Sequence, residues 1–316
     1  MPTYSVVIPV YNAERYLESC IRSVMEQNSS SACEIILVDD GSSDRSPQIC
    51  DGFAQQFPFV KVIHQVNQGV SAARNAGIAA ASGSYLLFLD GDDYWDNSLL
   101  QKLDEQIPQR PDVIEFGYLY FDGHTDYQPT LPAVQTEGMT GMEYFDAHKA
   151  INTMPMASSC TAAFKRQLLE ENNVRFPTGV SYGEDFTFHM HCLKYAKSVV
   201  SILQPLYLYR MNEQSATHTP TVKKMRDMLS ACANMYRLFP CALFANYYCM
   251  KILNVEKLGK REAGELNTLL RENRDILQHV SGTKPRLTCM LYRLFGWYGA
   301  ARLMQLWFRV RYPEKG

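Results

Sequence analysis

Along the first third of the chain the apolar positions follow two alternating periods. Short, almost continuous apolar runs, "YSVVIPV" from Tyr4, "CEIILVDD" from Cys33, "VKVIHQ" from Val60, "YLLFLDGDD" from Tyr85 and "DVIEFGY" from Asp112, are separated by helix-length amphipathic segments, "AERYLESCIRSVMEQ", "SDRSPQICDGFAQQF" and "GVSAARNAGIAAA". Strands apolar on both faces and joined by helical crossovers predict an α/β domain, a mostly parallel sheet flanked by helices. After about Phe121 the pattern loosens into turns such as "DGHTDYQPTLP". It resumes with the helical "GMEYFDAHKA", the mixed "SSCTAAFKRQLLEENNVRFP" and a helix begun at "YGEDFTFHMHCLKYA". From about Pro220 onward the spacing predicts long helices, among them "TVKKMRDMLSACANMYRLF" and "KREAGELNTLLRENRDILQHV". No internal repeat or low-complexity linker is visible. We divide the chain into a domain over 1–215 and a helical C-terminal extension over 216–316, which either packs on the first or stands apart.

In such a sheet, ligands sit in the crevice outside the carboxyl ends of the strands. The predicted strand ends carry "PVYN" at Pro9 to Asn12, "DDGSSD" at Asp39 to Asp44 and "DGDD" at Asp90 to Asp93, so all three clusters are expected to open onto one crevice. Carboxylates as close as Asp90, Asp92 and Asp93 repel one another unless a cation or donors lie between them. Hard divalent cations such as Mg²⁺ and Mn²⁺ take one or two carboxylates and complete their shell with phosphate and water. The plainer reading is an acidic turn in which Asp93 or Asp96 caps the next helix. Asp39 and Asp40 are followed by Gly41 for a tight turn and by Ser42, Ser43 and Asp44 as helix caps, and a carboxylate there can also accept from a pyrimidine N–H or a ribose hydroxyl.

Three further places carry candidate chemistry. In "NQGVSAARNAGIAAASG", from Asn67 to Gly83, small residues allow a helix to pack closely on the sheet. Arg74 on that helix is suited either to reaching a phosphate or to pairing with a strand-end aspartate. Glu184 and Asp185 open a helix after a glycine-containing loop, where they either complement the helix terminus or provide a general base for a substrate hydroxyl. His189 and His191, two apart, do not share a face as a metal-binding pair would and are assigned to core or surface, with a place for one of them lining the crevice as the alternative. His218 in "QSATHTP" is the candidate third metal ligand.

Composition narrows the class. With 33 acids against 31 Lys plus Arg the formal net charge is −2, so no basic field attracts nucleic acid, and 46% hydrophobic content over 316 residues is ample for a core. Nine cysteines, an odd number with no close pair, indicate reduced thiols and a cytoplasmic setting. The opening "MPTYSVVIPVYNAERY" reads as a strand and not as a leader, because Pro9 interrupts its apolar run. The longest apolar-leaning run, Leu238 to Met250, falls short of the roughly 18 to 20 residues that span a bilayer. From Lys284 to Lys315 the tail holds seven Lys or Arg and one acid among leucines, methionines, Trp297 and Trp307. It suits peripheral contact with an anionic membrane surface, or docking on the first domain or in a homodimer interface.

Taken together, "VVIPVYN", "EIILVDDGSSD", "NQGVSAARNAGIAAASGSYLLFLDGDDYW" and "GEDFTFHMH" resemble the family 2 glycosyltransferases, bacterial enzymes of the GT-A fold that move a sugar from a nucleotide diphosphate to an acceptor with inversion. The resemblance runs in order over roughly residues 4–215. It implies that Pro9 to Tyr11 line the nucleotide pocket, that Asp39 contacts the uracil ring with Asp40 in support, and that Asn67, Arg74 and Asn75 lie beside the nucleotide. Asp90 and Asp92 match the family's DxD motif: Asp90, with Gly91, belongs near the ribose, and Asp92 is the principal ligand of Mn²⁺ or Mg²⁺. Asp185 matches the catalytic base, with Glu184 holding the acceptor or the loop, and "YLYRMNEQSAT" places Tyr209, Arg210 and Ser215 near a closing loop. The implied reaction is transfer from a UDP-sugar to a glycan or lipid-linked hydroxyl acceptor in cell-surface polysaccharide synthesis.

Two other classes remain open. A nucleotidyltransferase usually has a glycine-rich basic phosphate loop near the first strand, which "VVIPVYNAERYLES" lacks, and the G-x-G-x-x-G of a dinucleotide dehydrogenase is absent as well. A non-catalytic binding module on the same fold would be expected to lose the metal or base carboxylates, and both are present.

Overall fold

A computed structural model describes residues 2–122, 127–156, 158–180, 182–211 and 221–311. The first four apolar runs become β1 (Tyr4–Val10), β2 (Cys33–Asp39), β3 (Val60–His64) and β4 (Tyr85–Phe88), laid side by side in the order β3-β2-β1-β4. Every pairing among them is parallel, with α1 (Leu17–Met25), α2 (Ser46–Gln56) and α3 (Val70–Ala80) as crossovers. Val10 pairs with Asp39 and Val7 with Phe88, so the carboxyl ends of β1, β2 and β4 emerge along one edge of the sheet. Val6, Val7, Ile8, Leu37, Val38, Leu86 and Leu87 are all buried, which explains why these strands read as continuous apolar runs.

The small residues of α3 set its distance from the sheet. A Cβ added to Gly77 would lie 2.2 Å from Cγ1 of Val7. No other residue type fits there without displacement.

The remainder of the sheet is mixed. After β5 (Tyr94–Trp95), α4 (Leu99–Asp104), β6 (Val113–Phe121), β7 (Glu137–Met139) and α5 (Gly141–Ala150), the chain enters β8 (Ala162–Lys165), then α6 (Arg166–Glu171), α7 (Glu184–Tyr195) and β9 (Val199–Arg210). β8 runs antiparallel between β4 and β6, whereas β6 and β9 are parallel, and β5 and β7 both pair antiparallel with β9. The long ladders are therefore parallel, as the pattern predicts, and the antiparallel ones are short. Thr140 caps α5 through a reciprocal box with Glu143.

The chain forms two compact units, one of Met1–Gly179 with Glu184–Ser215 and one of Val180–Gly183 with Ala216–Gly316. The second is helical: α8 (Val222–Leu238), α9 (Ala242–Ile252), α10 (Lys260–Gly264), α11 (Asn267–Glu272) and α12 (Thr283–Arg311), the last broken at Gly296, where φ is 67°. The single long helix expected over "KREAGELNTLLRENRDILQHV" is instead α10, α11 and a 3₁₀ turn at Arg274–His279. Gly264 and two asparagines mark the breaks. Asn273 turns its amide back to the Leu269 carbonyl at 2.8 Å and accepts from Arg237 at 2.5 Å, the local competition that makes asparagine a poor helix interior. Among the described residues no helix is long and apolar enough to cross a membrane.

The contact at Gly77 makes a signed prediction. In an open helix, Gly→Ala would stabilise by about 1 kcal/mol, but here Gly77→Ala should destabilise by about 1–3 kcal/mol through overpacking against Val7. Urea denaturation of Gly77→Ala, Val7→Ala and the double variant should show partial recovery in the double, and a raised midpoint for Gly77→Ala alone would refute the close packing.

Candidate active site

The three predicted strand-end clusters adjoin one another. The Asp40 N–H donates to the Val10 carbonyl at 2.9 Å, and a Cβ on Gly91 would lie 3.3 Å from the Pro9 carbonyl oxygen. Beyond β1, the Asn12 N–H donates to Ser42 Oγ at 3.0 Å, while Asn12 Oδ1 accepts from the Ser43 N–H at 2.8 Å. Tyr11 is left 56% exposed above this lacing, and Asn67 is exposed on the adjoining loop.

Asp39 and Asp40 are both buried but differ in what holds them. Asp39 accepts from the Ser42 N–H at 3.0 Å and faces His64 Nδ1 at 2.9 Å, and His64 Nε2 lies 3.1 Å from Asp51. Burial alone would raise the Asp39 carboxyl, but Ser42 and His64 outweigh it and hold it below its ordinary value. The hydrogen bond to Asp39, and then that to Asp51, raises His64. Asp40 instead accepts from Gln65 Nε2 at 2.7 Å and from the backbone N–H groups of Gln68 and Gly69 at 2.9 and 2.8 Å. It fixes the loop that leads into α3.

The centre of the site is Arg74, 2% exposed on α3. Nη2 donates to Asp90 at 2.7 Å, and Nη1 donates to Asp185 at 2.6 Å and lies 3.5 Å from Glu184. The guanidinium carbon also lies 5.2 Å from the centroid of the Phe176 ring. Asn75, next on α3, exchanges two 2.9 Å hydrogen bonds with the Phe176 backbone. Of the two roles left open for Arg74, the structure shows the carboxylate pairing. Ser159, ahead of β8, adds a 2.8 Å hydrogen bond to the same Asp185 oxygen. Burial raises the Asp185 carboxyl against the opposing pull of Arg74, and burial followed by the Asp185 charge raises Glu184.

On the β4 side, Asp93 is buried and accepts from the Tyr207 hydroxyl and, at 2.7 Å, from the Arg210 N–H. Burial and the charges of Asp90 and Asp92 push it up to about 8. Arg210 Nε donates to the Asp92 carbonyl at 2.9 Å, and its guanidinium lies over the Tyr16 and Tyr94 rings. The Asp92 side chain receives no hydrogen bond from another described residue and is raised by burial and by Asp90. Around one buried guanidinium the site therefore collects Asp90, Asp92, Glu184 and Asp185, an excess of negative charge made of hard oxygen donors. That donor set fits a divalent cation held by one or two carboxylates with phosphate and water. Among the described residues no three His, Cys, Asp or Glu side chains, these four included, are placed to hold one metal ion together.

The structure thus brings Pro9, Asp39, Asp40, Arg74, Asp90, Gly91, Asp92, Glu184 and Asp185 into one region of the first unit. His218 and Ser215 lie outside the described residues. His189 is a fully buried core residue between Glu115 Oε1 at 2.7 Å and the Ser158 carbonyl at 3.1 Å. His64, Ser159 and Tyr207 were not singled out by sequence reasoning. Only His64 left a signal, since it ends β3 in register with Asp39.

A mostly parallel sheet with acidic strand ends on one edge and half-buried acids gathered on Arg74 is the arrangement of the α/β nucleotide-binding class. More narrowly, the chain belongs to glycosyl transferase family 2, whose model matches residues 5–172, and it is a glycosyltransferase. It is 35% identical over 234 residues to EpsJ of Bacillus subtilis, itself an uncharacterized glycosyltransferase, covering 72% of this chain and 67% of that one. It is 32% identical over 223 residues to the glycosyltransferase GlyG of Streptococcus pneumoniae, covering 68% and 73%. The crystal structure of S. aureus TarS 1–349 in complex with UDP-GlcNAc has the same fold, with a TM-score of 0.76 at 20% identity over 99% of this chain and 93% of that one. Mannosyltransferase PcManGT from Pyrobaculum calidifontis, in complex with GDP-Man and Mn²⁺, gives 0.57 at 16% identity over 97% and 87%.

The His64 pairing has a definite pH signature. A raised histidine contributes stability in full below its unfolded value of about 6.5 and loses it as pH rises through the folded value. Asp39, being lowered, keeps its share until pH falls through its own folded value. The stability deficit of His64→Asn, from urea midpoints, should be larger at about pH 6 than at about pH 9. Equal deficits would show that the pairing is not ionic.

Proposed function

We propose that the crevice at the ends of β1, β2 and β4 binds a nucleotide-diphosphate sugar, with uridine as the nucleoside, and that Asp185 is the general base of an inverting transfer to a hydroxyl acceptor. The observation that carries this reading is Arg74, which holds a strand-end carboxylate, Asp90, and a helix-start carboxylate, Asp185, on one guanidinium at 2.7 and 2.6 Å. A donor site and a base must be that close for in-line attack.

On this reading Asp39 receives the uracil N–H on lone pairs left by Ser42 and His64, with Pro9, Tyr11 and Asn67 bordering the nucleotide. Asp40 keeps the bordering loop in place, and Asp90 and Gly91 lie beside the ribose. Asp92, with Asp90, would hold Mn²⁺ or Mg²⁺. Bound there, the cation supplies compensation for the charge that develops on the diphosphate leaving group. Asp185 Oδ1 is taken by Arg74 and Ser159, which leaves Oδ2 to remove the acceptor's proton. Its raised carboxyl is a better base than an ordinary aspartate. As the acceptor oxygen bonds to the anomeric carbon, the bond to the diphosphate breaks on the opposite face and its electron pair leaves with the diphosphate. One displacement inverts the centre. Glu184 would position the acceptor.

Residues 1–215 then form the catalytic domain and 216–316 its helical extension. The product is a cell-surface polysaccharide, made on a glycan or lipid-linked acceptor at the cytoplasmic face of the membrane. Support for peripheral attachment comes from α12, where Met290, Leu294, Phe295, Leu303 and Leu306 are exposed beside Lys284, Arg286, Arg293 and Arg302.

Nucleotide release across UDP-, GDP- and dTDP-sugars with Mn²⁺ or Mg²⁺ tests the donor. Asp185→Asn should lower transfer by about 10² to 10⁴-fold while calorimetric UDP binding persists, and unimpaired transfer would remove Asp185 from the role. Asp92→Ala should weaken UDP binding in the presence of Mn²⁺, and an unchanged titration would remove Asp92.

A further inference from the structure

Three arginines of the helical unit, one of them Arg293 of the basic α12 face, take no part in the transfer chemistry above. Arg271 at the end of α11, Arg274 on the following 3₁₀ turn and Arg293 on α12 line one cavity of about 260 Å³, walled by Tyr292 and Trp297. The two rings lie 5.0 Å apart, centroid to centroid, at 55°. No acidic side chain lines the cavity. The three residues are exposed at the rim of the cavity, and among the described residues none of their guanidiniums has an ion pair or a hydrogen-bond acceptor. Cations brought together from three separate elements repel one another unless an anion is shared among them. Guanidinium forks match the tetrahedral oxygens of a phosphate, and the volume suits a head group better than a whole sugar nucleotide.

We propose that this cavity is a binding site for a phosphate ester, the phosphate held by Arg271, Arg274 and Arg293 and the adjoining carbon skeleton lying against Trp297 and Tyr292. The ester is either a lipid head group or a soluble phosphate compound, and the anionic group is common to both. The site belongs to the helical unit alone and does not depend on the donor chemistry proposed for the strand ends.

Trp297 is a built-in reporter. The full chain is titrated, following tryptophan emission, with inorganic pyrophosphate, with vesicles of phosphatidylcholine, and with vesicles of phosphatidylcholine plus phosphatidylglycerol. A saturable change with pyrophosphate or with the anionic vesicles, absent with phosphatidylcholine alone and abolished in Trp297→Phe, is expected. Its apparent affinity should fall at least about tenfold in Arg271→Gln/Arg274→Gln/Arg293→Gln, as loss of charge-assisted bonds requires. A response to anionic vesicles that pyrophosphate competes away identifies the lipid head group as the source, and a response to pyrophosphate alone identifies a soluble ester. No saturable response of the native chain to either probe overturns the proposal without recourse to any variant, as does an undiminished response in the triple variant with native circular dichroism. UDP binding, followed separately by calorimetry, should be unaffected in the triple variant. Its absence from the native chain would count against the donor reading and leave this one standing.

Discussion

A buried guanidinium is tolerable only where carboxylates replace the water it has lost, and Arg74 satisfies that requirement three times over. This constraint organises the first unit. Arg74 stands on α3, Asp90 follows β4, and Glu184 and Asp185 begin α7, so one side chain ties the parallel half of the sheet to the helix that follows its antiparallel insertion. Three carboxylates on one cation leave an excess of negative charge, and Asp92 adds to it. Burial first, and the neighbouring carboxylates after it, raise Asp92, Asp93 and Glu184. The excess is also the property that suits a divalent cation and a diphosphate brought together.

Around the charged centre lies a layer of residues that hold other residues. Asp40 pins two backbone amides ahead of α3. Asn75 pins Phe176, whose ring stacks on Phe188 at 3.9 Å. Both ring nitrogens of His189 face oxygens, those of Glu115 and of the Ser158 carbonyl, and the next residue, Ser159, donates to Asp185. Glu115 in turn accepts from Tyr144 at 2.8 Å. Polar groups buried this deeply cost stability unless every partner is present, so such a network specifies one arrangement of the loop before β8.

The parallel half of the fold was legible because its strands are buried on both faces and their acids stop abruptly at the sheet edge. Val7 and Ile8 against Asp39 and Asp90 is a contrast that periodicity alone reveals. The placement of β8 between β4 and β6 was not legible, since four residues of "AAFK" carry no sign of direction. The breaks in the helical unit were missed because apolar spacing persists through Gly264 and Asn273 while the backbone does not. In the site, the carboxylates were legible from their strand-end positions and from family resemblance. Their partners Ser159 and Tyr207 were not, because a serine ahead of a short strand and a tyrosine within a long one acquire meaning only through tertiary contact. Arg74 was visible, but which of its two possible partners it serves depended on residues 16 and 111 positions away.

That last separation bears on the order in which the chain can become competent. Asp39, Asp40 and the loop before α3 are joined by contacts within about thirty residues, the span of one βαβ unit, whereas Arg74 meets Asp185 only after 111 residues have been closed into a loop. Loop-closure entropy favours the local unit first. A chain emerging from synthesis would then acquire its nucleotide-side loops and the Arg74–Asp90 pair well before α7 docks, and until then Arg74 would lack its Asp185 and Glu184 partners. The expectation is an ordered parallel half to which α7 docks late, bringing the second and third carboxylates onto a guanidinium that already holds Asp90.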